Sequence, residues 1–479
     1  MGAQATGREA ATGRAQSLTL DGVKPVELQE PLEELARDPK HFVHDLQFPP
    51  VGKIRVYDDT LRDGEQMPGV AIAPKAKYEL ARLLSDIGVH VMDVGFPSVS
   101  ESERETLRLI LEGRKRGEIR PDLEVVCMMR STKGDIDATM RVIDALGHKR
   151  DEVTYFIFTS ASDLHVKYKL GKTLLHRDGI PESEWLELPV SHYREANLRM
   201  MCEAISYARE QGATAIEFGG EDGSRADVDY IGQIHREGLK AGGTRPSTPD
   251  TVGCYSPFAV REYIPQIKAA APEAPLVVHF HNDLGLGAWN TVMALGSGAE
   301  VFTTSVNGIG ERTGNAPMHQ VLMQLRYLFG IEIPHFKYEK LRDLARHLEL
   351  VSGIPVQPTE PGIGLNVFTH EAGIHTAGML IHPAIYQFMP PADFGADVEY
   401  VYGKHSGAVV IEHALREAGI PPEPDLVAKV LNEVKRIREE RAERADFSDF
   451  HKRYYEHLNR LGLTWEEVAV IARALASTA

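Results

Sequence analysis

Two histidines alternate in the run Val277, Val278, His279, Phe280, His281, Asn282, Asp283. Side chains alternate along a strand, so both imidazoles point the same way and can chelate one divalent ion at a strand end. The same residues also suit a polar strand end before an Asn-Asp turn. A second charged run reads Asp58, Asp59, Thr60, Leu61, Arg62, Asp63, Gly64, Glu65, Gln66. Structural ion pairs can account for part of it. One aspartate from this run with the two histidines nevertheless makes a set of two imidazoles and one carboxylate with open positions. Such a set suits Mg, Mn or Zn when substrate oxygens complete the shell. A third run, GIGERTGN from Gly308 to Asn315, combines three glycines with Glu311, Arg312 and Asn315. Its glycines allow close backbone approach to a ligand, or simply a turn, and neither phosphate-loop spacing is present.

Residues this far apart in sequence meet only if the fold brings strand ends together. From about Lys53 the chain alternates short β-branched runs with stretches of helical period, the pattern of repeated βα units. The strand candidates are KIRVYD from Lys53, VHVMDVGF from Val89, LEVVCMM from Leu123, EVTYFIFTS from Glu152, ATAIEFGG from Ala213, GGTRPSTPDT from Gly242, PLVVHFHND from Pro275 and EVFTTSVNG from Glu300. Eight such units between about residues 53 and 330 imply an α/β fold, a (β/α)8 TIM barrel, whose active sites gather at the C-terminal ends of the strands. The fourth connection is long, polar and contains Pro and Trp, roughly Asp163 to Ser191, the form of a lid, a specificity element or a tolerated insertion.

The parts expected are an N-terminal extension over 1–50, a catalytic barrel over 51–330, a linker and mixed C-terminal subdomain over 331–419, and a helical region over 420–479. In EVKRIREERAERADF the alternating charges read as a solvated helix face with local ion pairs. At 479 residues the chain exceeds one ordinary core. A formal charge of −16 argues against a nucleic-acid surface, which needs a basic footprint. Three unpaired-looking cysteines argue against a disulfide framework or a cysteine zinc site. No apolar run approaches a membrane span, and the first residues lack the apolar stretch of a secretory signal, so cytoplasmic residence and small-molecule partners are expected.

The segments DDTLRDGEQMPG, HFHND, GIGERTGN, FTHEAGIH and GKHSG, in that order, resemble the 2-isopropylmalate synthase and homocitrate synthase family over about residues 53 to 415. The resemblance implies a Claisen-type condensation of a 2-oxo acid with acetyl-CoA as co-substrate at a divalent metal. It implies Asp63, His279 and His281 as ligands with Asn315 nearby, and Arg62 steadying negative charge. Glu221 and Thr251 would hold the oxo acid, with Gln66, His165 and Glu311 among the substrate contacts. His375, for proton transfer, and Tyr386 would arrive from the partner in a homodimer with a swapped C-terminal segment, so that residues 331–419 serve the partner's site. Glu217 stands where the homocitrate branch carries an arginine for a second carboxylate, so repulsion favours an uncharged side chain such as that of 2-oxoisovalerate, unless Glu217 pairs with Arg225. Gly219 and Gly220 replace the family's usual Ser and Cys or Ser, which reads as an enlarged or loosened pocket. The roughly sixty residues beyond Gly419 are too short and too uniformly helical for the usual regulatory domain of leucine-pathway synthases. The rival readings are homocitrate or another alkylmalate synthesis, the reverse lyase reaction, a carboxylase-type barrel and a non-enzymatic paralogue.

Overall fold

The computed structural model describes residues 26–30, 32–36, 46–459 and 462–476. Most of the expected extension over 1–50 lies outside them. The eight strand candidates form one closed parallel barrel in sequence order. The strands are β1 (Arg55–Asp58), β2 (Val91–Asp93), β3 (Glu124–Arg130), β4 (Thr154–Ser160), β5 (Ala215–Glu221), β6 (Arg245–Asp250), β7 (Val277–Phe280) and β8 (Val301–Thr304). Closure comes from β1 on β8, with Tyr57 opposite Thr303 and Asp58 opposite Thr304. β6 forms despite Pro246 and Pro249, which lack the ladder N–H, because parallel partners flank it on both sides, Glu217 to Gly219 on one and Val277 to Phe280 on the other.

Alternation along the strands sorts the side chains. Tyr57, Val91, Val126, Val277 and Val301 form a buried cluster with Phe156 packed against it, one residue from each of six strands. This is one of the filled layers a barrel interior requires. Two residues further along β7 stands His279, and two further again His281, so the layer fixes the direction of both imidazoles. Helices between the strands cover the outside, for instance Pro74–Ile87, which ends on the left-handed Gly88.

The long fourth connection is folded. It contains a π-helical turn His165–Lys169, a helix Gly171–Arg177 and a 3-10 turn Glu182–Glu184, before the helix Val190–Glu210.

The chain divides into two compact units, one holding the described residues of Pro39–Gln357, Pro361–Ile363 and Ser448–Ala479, the other those of Met1–Asp38, Pro358–Glu360 and Gly364–Phe447. The second unit carries a two-stranded parallel sheet, β9 (Thr369–His370) and β10 (Glu399–Tyr400). Its helices Ala408–Glu417 and Pro424–Arg444 bury Ile411, Leu415 and Val427. The charged run does form a helix face with local pairs, Arg436 with Glu433 and Glu440. Among the described residues no helix is long and apolar enough to cross a membrane.

Candidate active site

His279, His281 and Asp63 meet at the C-terminal mouth of the barrel. Asp63 Oδ2 lies 3.5 Å from His279 Nε2 and 3.8 Å from His281 Nε2, and one potential ligand atom from each of the three falls within 4.8 Å of the others. All three residues are buried. Burial and the neighbouring His279 push the His281 imidazole down to about 4, so at pH 7 it is neutral with a lone pair to donate. Burial works to raise the Asp63 carboxyl, but Arg62 and the two histidines outweigh it and hold the group well below the usual carboxylate range. Asp63 Oδ1, His281 Nδ1 and the buried Asn315 Oδ1 have no hydrogen-bond partner. Two imidazoles and an ionised carboxylate with unpartnered buried atoms fit a divalent cation.

The other ring nitrogen of His279 is held from behind, with Nδ1 2.7 Å from Thr303 Oγ1 and 3.1 Å from Asp59 Oδ2. Such contacts set the tautomer and aim Nε2 at the space between the three groups. Arg62 is fixed with equal care. Its Nη1 donates to Asp63 Oδ2 at 2.6 Å, its Nε to Asp93 Oδ2 at 2.8 Å, and Nη2 lies 3.9 Å from Asp59. Burial raises Asp93 to about 6 even beside Arg62.

Local structure explains why these groups stay in place. Asp58 accepts from the N–H and the hydroxyl of Thr60, and Thr60 Oγ1 accepts from Val306 N at 2.8 Å, tying the end of β1 to the end of β8. Lys77, fully buried, bridges Glu65 at 2.5 Å and Glu103 at 2.6 Å, and so anchors the turn that carries Asp63 and Gln66. In the loop after β8, a Cβ on Gly314 would fall 1.9 Å from the Gly308 carbonyl oxygen. Gly314 therefore closes the loop on itself, the turn alternative. Glu311 and Arg312 of the same loop reach the cavity, and Arg312 is pinned by two bonds to Asp283 and one to the Thr251 carbonyl.

A cavity of about 270 Å³ opens beside the cluster. Tyr57, Phe96, Met128, Phe156 and Phe158 give it an apolar wall, while Arg62, Asp63, Gln66, Lys169, Glu217, Glu221, Thr251, His279, His281, Glu311 and Arg312 give it polar ones. Of the residues singled out in the sequence, Arg62, Asp63, Gln66, Glu221, Thr251, His279, His281 and Glu311 thus share one cavity. His165 lies 3.8 Å from Glu221 and 3.6 Å from Asp222, and Asn315 is bridged to His281. His375 and Tyr386 belong to the second unit, where both are exposed and their rings lie 4.4 Å apart between centroids, tilted by 45°.

Two expectations change. Glu217 does line the cavity, but its charge is matched by Arg245, whose Nε and Nη2 lie 2.9 and 2.8 Å from Oε2. Burial also pushes the Glu217 carboxyl up to about 7. The alternative partner, Arg225, is engaged with Asp222 instead. Glu217 is therefore not the unpaired repulsive charge the sequence suggests. Nor do Gly219 and Gly220 simply widen the pocket. A Cβ at Gly219 would stand 2.3 Å from the Ser247 carbonyl oxygen and one at Gly220 2.7 Å from Ala161 Cβ, so close packing with β6 and the β4 end requires glycine.

Sequence reasoning misses Asp59, Lys77, Asp93 and Lys169. Asp93 carries a usable signal, an acid at the end of a β-branched strand. Lys169 carries none beyond its place in the long fourth connection.

The fold and the acid–imidazole cluster at its mouth define an α/β barrel with a site for catalytic chemistry. The HMGL-like family matches residues 53–177 and 180–348, and the family described as homocitrate synthase post-HMGL domain-like matches 363–442. The homocitrate synthase AksA of Methanopyrus kandleri is 36% identical over 83% of this chain and 90% of its own. A probable 2-isopropylmalate synthase of Ignicoccus hospitalis is 37% identical over 80% of this chain and 88% of its own. A putative (R)-citramalate synthase of Methanoculleus marisnigri is 35% identical over 81% of this chain and 69% of its own. The chain belongs to the HMGL-like family, among its 2-isopropylmalate and homocitrate synthase relatives.

Proposed function

We propose that this protein condenses acetyl-CoA with a 2-oxo acid that carries a single carboxylate, and that this acid is 2-oxoisovalerate, which makes it a 2-isopropylmalate synthase. The observation that carries this reading is the convergence of Asp63, His279, His281 and Arg62 on a cavity whose other wall is apolar. Named relatives include synthases for several oxo acids, so the names alone support the condensation and leave the acid to the site.

Asp63, His279 and His281, with Asn315 beside them, would hold a divalent ion, Mg, Mn or Zn, which would polarise the keto oxygen as a Lewis acid. The remaining work falls to the protein. Arg62, fixed by its acids, offers its guanidinium to the oxygen on which charge grows as the new carbon–carbon bond forms. Thr251, Glu221 and Gln66 orient the acid, and His165 steadies Glu221. Glu311 sits at the cavity edge. Phe96, Met128, Phe156 and Phe158 receive an uncharged side chain and exclude water around it.

The proton on the acetyl methyl group goes to the partner's His375, which the partner's Tyr386 flanks, in a homodimer that exchanges its C-terminal segment. Hydrolysis of the thioester then releases CoA. The three free cysteines agree with a reducing cytoplasm.

Thiol release from acetyl-CoA with a panel of 2-oxo acids, in the presence of Mn²⁺, tests the reading, with 2-oxoisovalerate expected to give the highest kcat/KM. Thiol release with none of the acids would end it, and a clear preference for 2-oxoglutarate would move the protein to homocitrate synthesis. Mixing Arg62→Ala chains with His375→Ala chains should restore part of the activity if the site is shared; re-association without activity removes the shared site.

A further inference from the structure

The Lys and Arg side chains among the described residues lining the cavity are three, and they are not equivalent. Arg62 is surrounded by Asp59, Asp63 and Asp93. Arg312 has both oxygens of Asp283 and a carbonyl. Lys169 has one partner, Glu221, and its side chain is 46% exposed. An ammonium carries three N–H donors, so Lys169 retains capacity for another anion.

The long fourth connection places this lysine with some rigidity. Lys169 ends the π-helical turn, a conformation that gathers at functional sites. Trp185 pins the turn from outside, its Nε1 donating to the Lys167 carbonyl at 2.6 Å and its ring meeting Tyr168 edge-on at 6.2 Å. A Cβ on Gly171 would come 2.5 Å from the same indole nitrogen, so the helix after the turn is pressed against Trp185.

A 2-oxo acid with a second carboxylate would need a cation for it inside the cavity, because an unpaired buried charge is strongly penalised. Lys169 is the available one, and Glu221 holds it. While that pair is closed, the two charges compensate each other and the Lys169 ammonium is not available to a second carboxylate. We propose that the Lys169–Glu221 pair is a charge gate, delivered by the fourth connection, that restricts the enzyme to 2-oxo acids with one carboxylate. This inference rests on the condensing reading above and names the residues that choose the acid.

The test compares the full-length parent, Glu221→Gln, Lys169→Met and the double variant, each loaded with Mn²⁺. Two quantities are read: the ratio of kcat/KM for 2-oxoglutarate over 2-oxoisovalerate, and the ratio of their affinities by calorimetry. Glu221→Gln is isosteric and slows both acids, since Glu221 itself contacts substrate, but it frees Lys169 and should raise both ratios at least tenfold. Lys169→Met alone should not raise them, and the double variant should return them to the parent's values. Ratios unmoved by Glu221→Gln, or a rise that survives in the double variant, would overturn the gate. The affinity ratio is read without turnover, so a protein that binds oxo acids and condenses none would refute the activity, while its affinity ratios would still decide for or against the gate.

Discussion

At the mouth of the barrel Asp59, Asp63 and Asp93 face a single arginine, Arg62, whereas lower in the barrel Glu124 of β3 and Glu217 of β5 face Arg55 of β1 and Arg245 of β6. Three acids against one base leave two formal negative charges; two against two leave none. The hydrogen bonding differs in the same sense. At the mouth both oxygens of Asp59 and Oδ1 of Asp63 lack a hydrogen bond, although Asp59 Oδ2 lies 3.1 Å from His279 Nδ1. In the other group Oε1 of the cavity-lining Glu217 is the one carboxylate oxygen that lacks one, while Arg245 ties Glu124 and Glu217 together through contacts of 2.7 to 3.1 Å. Buried carboxylate oxygens without partners are costly, and a fold retains them where a ligand satisfies them. The unbalanced group is the one the proposed function uses for chemistry, and the balanced one is expected to serve stability.

The largest effect should come from removing a ligand at the unbalanced end. Asp63→Ala and His279→Ala are each expected to lower Mn²⁺ affinity more than about a hundredfold and condensation by about a thousandfold or more, roughly 4 kcal/mol of barrier. Calorimetry and thiol release measure these, and far-UV circular dichroism should show the barrel intact. Unchanged Mn²⁺ affinity in both variants would remove the distinction between the two groups. Next in size is the opposite perturbation. Arg245→Met leaves Glu217 and Glu124 without their shared base, and breaking a buried pair from one side costs about 3 kcal/mol or more. The urea midpoint should fall accordingly, with Mn²⁺ affinity within about twofold of the parent. A loss of affinity in step with stability would mean that the two groups act as one.

The mouth is legible in the sequence because its signals are local. His279 and His281 sit two apart along one strand, so alternation aims them together and barrel topology brings the acidic end of β1 to them, while the choice of Asp63 among its aspartates comes from the family resemblance. The eight strands are legible through their β-branched runs, and even Pro-rich β6 takes its place because its neighbours on both sides demand a strand. Glu217 misleads because its partner Arg245 is 28 residues away on the next strand, at the same register position. A single sequence shows the acid but not the base across from it. Lys169 is hidden for a related reason: its turn is held by Ser162 and by Trp185, Leu186 and Leu188 later in the same connection, contacts a single sequence does not show.

Gly219 offers the smallest effect and a direct way to sharpen the same contrast. Taken from the sequence it is an absent side chain that enlarges the substrate pocket; in the structure it is opposite Ser247 in the β5–β6 ladder, and an added Cβ would stand 2.3 Å from the Ser247 carbonyl oxygen and 3.2 Å from its Cβ. Backbone cannot move aside as the end of a flexible side chain can, so Gly219→Ser must shift one strand against the other. Overpacking of this kind costs about 1–3 kcal/mol. Because β6 also carries Arg245, the strain falls on the balanced group first. The expected outcome is a lower urea midpoint for Gly219→Ser, with Mn²⁺ affinity retained and the preference among 2-oxo acids close to the parent's. Gly220→Ala, whose Cβ would meet Ala161 Cβ at 2.7 Å, should behave alike. A midpoint equal to the parent's, together with a raised KM confined to branched oxo acids, would show instead that the glycine is there to make room for substrate.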